Sequence, residues 1–211
     1  DEFTEKFSKA LSSQKVGDGT ESGIDVGPLV SQQQLDDVSG LVNRAVQAGG
    51  SIETGGKRIG ETGFFFEPTV ITNIAADAEI MVEEIFGPVL PVLAYRALDV
   101  ELARLRRLPW PLALYLFSES RAMQDRVLAA TASGGVCIND TISHILAREL
   151  PFGGLGESGM GRCHGKAGFD CFTHARSVLR RGTRADPPFR YPHQAASLRA
   201  VRRLYAWLLG R

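Results

Sequence analysis

Leu150–Gly168 reads LPFGGLGESGMGRCHGKAG, with seven glycines in nineteen residues, and its reading decides the fold. Each glycine adds backbone entropy and removes a side chain that packs, so this density predicts a loop rather than a helix or strand interior. Glycine also lets main chain pass where a Cβ would clash, leaving N–H groups facing a ligand or another backbone segment. Gly154, Gly156 and Gly159 satisfy GxGxxG, the dinucleotide fingerprint, which requires a buried strand before it and an apolar helix after it. Upstream, HILARELPF carries Arg148, Glu149 and Pro151; downstream, MGRCHGKAG offers no clean helix start. The fingerprint is therefore rejected.

Working outward, elements alternate. Phe3, Phe7, Ala10 and Leu11 predict a surface helix with one buried stripe. Ser31 and Gln34 are spaced as a capping box for a helix whose apolar face is Leu35, Val38, Val42 and Val46, stopped at Gly49–Gly50. Ser51–Thr54 reads as a strand, and Phe64–Ile71 as another that Pro68 confines to an edge or a strand start. Val89–Ala94 is a continuous apolar run, Val100–Leu108 is helical, and Leu112–Phe117 is apolar on both alternations, as in a strand covered on both faces. Glu119–Thr131 returns to helix with Met123, Val127 and Ala130 inward, and Gly135–Asn139 is the next strand. Strands separated by helices predict an α/β fold with a doubly wound parallel sheet, because parallel neighbours need a crossover. Ligands in such folds sit beyond the carboxyl ends of the strands, which is where the glycine loop follows. Ser177–Arg181 reads as a late strand, and Gln194–Leu209 as an amphipathic helix with Leu198, Val201, Tyr205 and Leu208 opposite Arg199, Arg202 and Arg203.

Three segments in order, EEIFGPVLPV (Glu83–Val92), SGGVCINDTISH (Ser133–His144) and the glycine loop, resemble the closing part of the aldehyde dehydrogenase superfamily. The resemblance covers about residues 1–192. The later half is similar to the fatty-aldehyde and coniferyl-aldehyde branch; the earlier half, from KVGDGT through DVGPLV to EEIFGP, is similar to the succinate-semialdehyde branch. It implies a partial catalytic domain over residues 1–175, with an oligomerisation strand and basic tail over 176–211. It also implies an NAD- or NADP-dependent oxidation of an aldehyde to an acid. By resemblance, Glu84 accepts hydrogen bonds from the nicotinamide ribose and Phe86 packs near the nicotinamide ring, with Gly87 and Pro88 forming the turn that holds both. Phe152, Asn139 and His144 match positions lining the aldehyde tunnel. From residue chemistry alone, the favoured reading of Glu84 is a helix-end surface acid and of Phe86 is core, a preference that the resemblance reverses, while Asn139 reads equally as a strand cap.

Aldehyde oxidation needs a thiolate to add to the carbonyl, a hydride acceptor, and a base to activate water against the thioester. The family places its nucleophile in a GQxC-like segment and its base in an ELGG-like segment, and neither occurs here. No catalytic residue is assigned in this chain, which is expected to be inactive by itself. The alternative is a non-catalytic truncated subunit that pairs with a full-length relative. Cys137, inside the apolar VCIN, reads as an inert core thiol without a basic neighbour. Cys163, His164, Cys171 and His174 match no zinc spacing, so no metal is assigned.

Composition sets the remaining limits. With 44% hydrophobic residues and no net charge, the 211-residue chain suits an ordinary folded protein. Three cysteines at no framework spacing point to a reducing, cytoplasmic setting, and the opening DEFTEKF resembles no signal peptide. Charge is uneven: Arg176–Arg211 holds nine arginines and one acid, Asp186. With no aromatic-interleaved groove to accompany it, a solvated surface or a subunit contact outweighs nucleic-acid binding. The tail favours docking on a partner subunit, as a homo-oligomer, over interfacial membrane contact.

Overall fold

Helix α2 (Gln32–Gln47) anchors the first half of the chain. Ser31, in extended conformation, caps it by accepting a hydrogen bond from the Gln34 amide, and Leu35, Val38, Leu41, Val42 and Ala45 are its buried face. That face packs with Phe66, Ile71, Ile80 and Val89 into one core. In this computed structural model, residues 2–184 and 198–210 are described. They form two compact units, divided between Leu105 and Arg106.

In the first unit, β1 (Ser51–Thr54), β4 (Thr69–Thr72) and β5 (Val89–Pro91) form a sheet ordered β1-β4-β5. β1 runs antiparallel to β4, and β5 runs parallel to it. β2 (Arg58–Ile59) and β3 (Phe65–Phe66) form a separate antiparallel pair. Pro68 splits the expected Phe64–Ile71 run in two. It precedes the start of β4, which is the central strand and not an edge, so of the two options for this proline the strand start holds. The crossover from β4 to β5 carries the short helix α3 (Glu79–Val82), and α4 (Leu98–Leu105) follows β5.

The first helix differs from its sequence reading. In α1 (Glu2–Ser12) the buried residue is Thr4. Phe3 is exposed and stacks on Phe7 with centroids 5.5 Å apart, so the aromatic stripe is satisfied by itself rather than by the core.

In the second unit, β6 (Ala113–Leu116) and β7 (Gly135–Ile138) pair in parallel, joined by α5 (Arg121–Ala130), which Ser120 caps. This is the β–α–β unit expected from Leu112–Phe117, Glu119–Thr131 and Gly135–Asn139. Tyr115 and Phe117 are nevertheless exposed, so within this unit β6 is not covered on both faces. The glycine stretch is not loop to its end: over its last four residues α6 (Gly165–Cys171) forms where no helix start was legible. His164 at its N-cap contributes no side-chain bond, so the capping signal that sequence reading relies on is missing. The expected strand Ser177–Arg181 carries no ladder. A strand exists through a partner's hydrogen bonds, and Val178 and Leu179 are exposed instead. Of the expected terminal helix, α7 spans Leu198–Leu208 with no buried residue, while residues 194–197 lie outside the described residues. No helix among the described residues is long and apolar enough to cross a membrane.

Candidate functional site

The EEIFGP turn follows α3 directly. Ile85 packs against the core of the first unit, whereas Glu84 and Phe86 on either side of it are exposed, Phe86 at 71%. The reading of Phe86 as core is thereby excluded, because Ile85 fills that role. Phe86 itself takes the left-handed conformation, φ 42°, which a bulky residue rarely adopts unless its surroundings enforce it. Two contacts enforce it. The Gln34 side-chain amide donates to the carbonyls of Ile85 (3.0 Å) and Phe86 (3.3 Å). Gly87 lies so close to α2 that a Cβ there would stand 2.7 Å from Val38 Cγ2. Gly87 is thus required for close approach, and the positive φ of the turn falls on Phe86. The capping box is only half formed: Ser31 caps the helix, but Gln34 spends its side chain on this turn. Sequence reading missed Gln34 as a support because its partners lie 51 and 52 residues away.

In the second unit, candidate residues gather where β7 ends. Asn139 (φ 57°) uses both ends of its amide on Ser118, accepting from its N–H (2.7 Å) and donating to its carbonyl (3.1 Å). This ties the ends of β6 and β7 together, the strand-cap role that residue chemistry allowed. Asp140 then accepts from the Thr141 amide at 2.7 Å. A hydrogen bond from Ser143, reinforced by that amide, holds its carboxyl below the ordinary 3.8.

The resulting turn, Ser143–Ile145, buries His144, which is 8% exposed. Its Nδ1 lies 3.1 Å from Cys137 Sγ. The core thiol expected to lack a basic neighbour therefore has one, although Cys137 is only 7% exposed. The His144 ring meets Tyr115 edge-on at 6.0 Å and Phe152 at 5.6 Å, and Phe152 stacks on His164 at 6.1 Å. His144 and Phe152 are thus brought together, with Asn139 one strand-end away; Glu84 and Phe86 belong to the other unit.

Phe152 is fixed by its backbone. It exchanges two hydrogen bonds with Cys163, 3.1 and 2.7 Å, closing the glycine loop at its base. Inside, Cβ atoms on Gly153 or Gly154 would fall 2.3 Å from Gly161 O and 2.0 Å from Ser158 O. The glycines serve close main-chain packing, as their density implies. Phe152 lines an open cavity of about 540 Å³ with Leu112, Met160, Cys163, Cys171 and Phe172. Arg162 also lines it, and the mostly apolar wall suits a hydrocarbon substituent.

The aldehyde dehydrogenase family model matches residues 1–178. Among curated relatives, 4,4'-diaponeurosporen-aldehyde dehydrogenase of Staphylococcus aureus is 40% identical over 179 residues, covering 82% of this chain and 38% of that protein. Among solved structures, the substrate-bound state of Staphylococcus aureus AldH is 36% identical with a TM-score of 0.80, over 97% of this chain and 44% of that one. The NAD+ complex of a Bacillus cereus aldehyde dehydrogenase is 32% identical with a TM-score of 0.77, over 82% of this chain and 35% of that one. The chain spans less than half the length of these relatives. The extent of the family match, together with the EEIFGP turn and the closed glycine loop, makes this chain a member of the aldehyde dehydrogenase family.

Proposed function

We propose that this chain is the C-terminal part of an NAD- or NADP-dependent aldehyde dehydrogenase, with residues 1–175 serving catalysis and 176–211 serving subunit pairing in a homo-oligomer. The observation that carries the reading is the Gln34-braced turn, which leaves Glu84 and Phe86 exposed while Ile85 alone enters the core. A carboxylate has two acceptor oxygens, which suit neighbouring ribose hydroxyls, and an exposed aromatic face suits a nicotinamide ring. The relative solved with NAD+ supports the cofactor class.

In the second unit Phe152 supplies an aldehyde-facing wall, with His144 behind its ring and Asn139 setting the strand end. The reaction adds a cysteine thiolate to the aldehyde, passes hydride to the nicotinamide, and hydrolyses the thioester with water activated by a base. The nucleophilic Cys and the base Glu belong to GQxC-like and ELGG-like segments, which these 211 residues do not contain. Cys137 does not replace the nucleophile, since at 7% exposure its sulfur has no open approach for an aldehyde. The free thiols suit a cytoplasmic protein.

Purified chain mixed with an aldehyde and NAD+ or NADP+ is expected to form no reduced nicotinamide. Turnover at an ordinary enzyme rate would overturn the assignment of the nucleophile. In a longer protein carrying both segments, Glu84→Gln is expected to raise KM for the cofactor more than KM for the aldehyde; equal effects on both would overturn the ribose role.

A second reading, a non-catalytic truncated subunit, draws on the exposed Val178 and Leu179 and on α7, which buries none of its residues. These are surfaces that pairing with a full-length relative would cover. The reading frame upstream of Asp1 separates the two: a continuation carrying both segments supports the enzyme, and a nearby start codon supports the subunit.

A further inference from the structure

We propose that Cys163 and Cys171 form a reversible disulfide that pins α6 to the base of the glycine loop. The inference is independent of the catalytic reading. Both thiols are free and exposed, and both line the cavity that Phe152 faces. Cys171 Sγ accepts a hydrogen bond from the Arg162 amide at 3.2 Å, so this sulfur rests against the residue covalently joined to Cys163. The α6 face carrying Cys171 also passes close by, since a Cβ on Gly168, one turn earlier, would lie 3.4 Å from Cys163 Cα. Disulfides span Cα separations of about 4.4–6.8 Å, and neighbouring Cα atoms are about 3.8 Å apart. The contacts of Arg162 with the Cys171 sulfur and of Gly168 with Cys163 Cα place the two cysteines in one neighbourhood, from which the bridge would draw their Cα atoms into that span. Their present hydrogen bonds assign the order of events: Cys163 Sγ donates to Phe152 O at 3.2 Å, whereas the Cys171 sulfur already accepts.

With oxidised glutathione as the oxidant, Cys171 loses its proton and attacks one glutathione sulfur. A Cys171–glutathione bond forms and one glutathione thiolate leaves. Cys163 then loses its proton and attacks the Cys171 sulfur, forming the protein disulfide and expelling the second glutathione thiolate. Two protein thiols are oxidised, one small disulfide is reduced to two thiols, and the two protons released are taken up by the two leaving groups. Because Cys163 is bridged to Phe152 through the backbone, the new bond stiffens the wall that Phe152 presents.

The test is peptide mapping of the 211-residue chain after incubation with oxidised glutathione and trypsin digestion without reductant. Cleavage after Arg162, Lys166 and Arg176 separates CHGK from AGFDCFTHAR. The expected product is these two peptides joined, lighter than their sum by two hydrogens, recovered from monomeric chain and released by dithiothreitol. The peptide bearing Cys137 is expected unmodified. Cys163→Ser is expected to stop at a glutathione adduct on Cys171. Separate glutathione adducts on both cysteines of the unaltered chain, unmodified thiols, or a joined pair found only in a covalent dimer would each overturn the proposal.

Discussion

Asp140 shows how much a single exposed side chain organises. Hydrogen bonds from Ser143 and the Thr141 amide lower its folded pKa below the ordinary 3.8. A depressed folded value means that its stabilising effect is complete above the ordinary carboxylate pKa and is lost as pH falls through the folded value. The Thr141 amide resonance is therefore expected to titrate with a midpoint below 3.8, and Asp140→Asn is expected to abolish that titration in an NMR pH series. Glycine positions divide as sharply. Gly154→Ala places a methyl 2.0 Å from a backbone oxygen, whereas Gly27→Ala meets nothing within 4 Å. Overpacking against main chain costs about 1–3 kcal/mol or more, and an open surface change stays within about 0.5 kcal/mol. Urea unfolding of the second unit is expected to show the first cost at Gly154, and that of the first unit no shift at Gly27.

At the scale of elements, α2 joins stability to the candidate cofactor turn. Ser31→Ala removes an N-cap and is expected to cost about 1 kcal/mol; Leu35→Ala empties a core site and is expected to cost about 2–5 kcal/mol. Both are read by urea denaturation. Periodicity made α2, α4, α5, β5 and β7 legible, because each buries at least one residue of a face or run that the chain itself supplies; β1 and β6 were legible from residue type, although neither has a fully buried residue. It failed where local signals and tertiary demand disagree. The Phe3–Phe7 stripe looks inward by spacing yet stacks upon itself; α6 starts on an uncapped glycine; Gln34 has the spacing of a capping box but serves a turn 51 residues away. Of the candidate site, the surface position of Glu84 was legible from residue chemistry. The exposure of Phe86 and the burial of His144 were not, since each depends on which neighbour fills the core.

For the whole molecule, the exposed end is the dominant feature. Leu179 is 94% exposed, and α7 presents Leu198, Tyr205 and Leu208 without a covering surface among the described residues. Unpartnered apolar side chains of this number drive association. Light scattering after size exclusion is expected to report a species larger than 22.9 kDa, and removing residues 176–211 is expected to reduce it. A monodisperse monomer from the intact chain would contradict this.

At the first residue of β7, a methyl on Gly135 would stand 2.7 Å from His144 Cδ2, so the two positions share one fixed volume. A side chain added at 135 therefore needs room given up at 144, and Gly135→Ala should be rescued by pairing it with a smaller residue at 144 rather than by any change elsewhere in the strand.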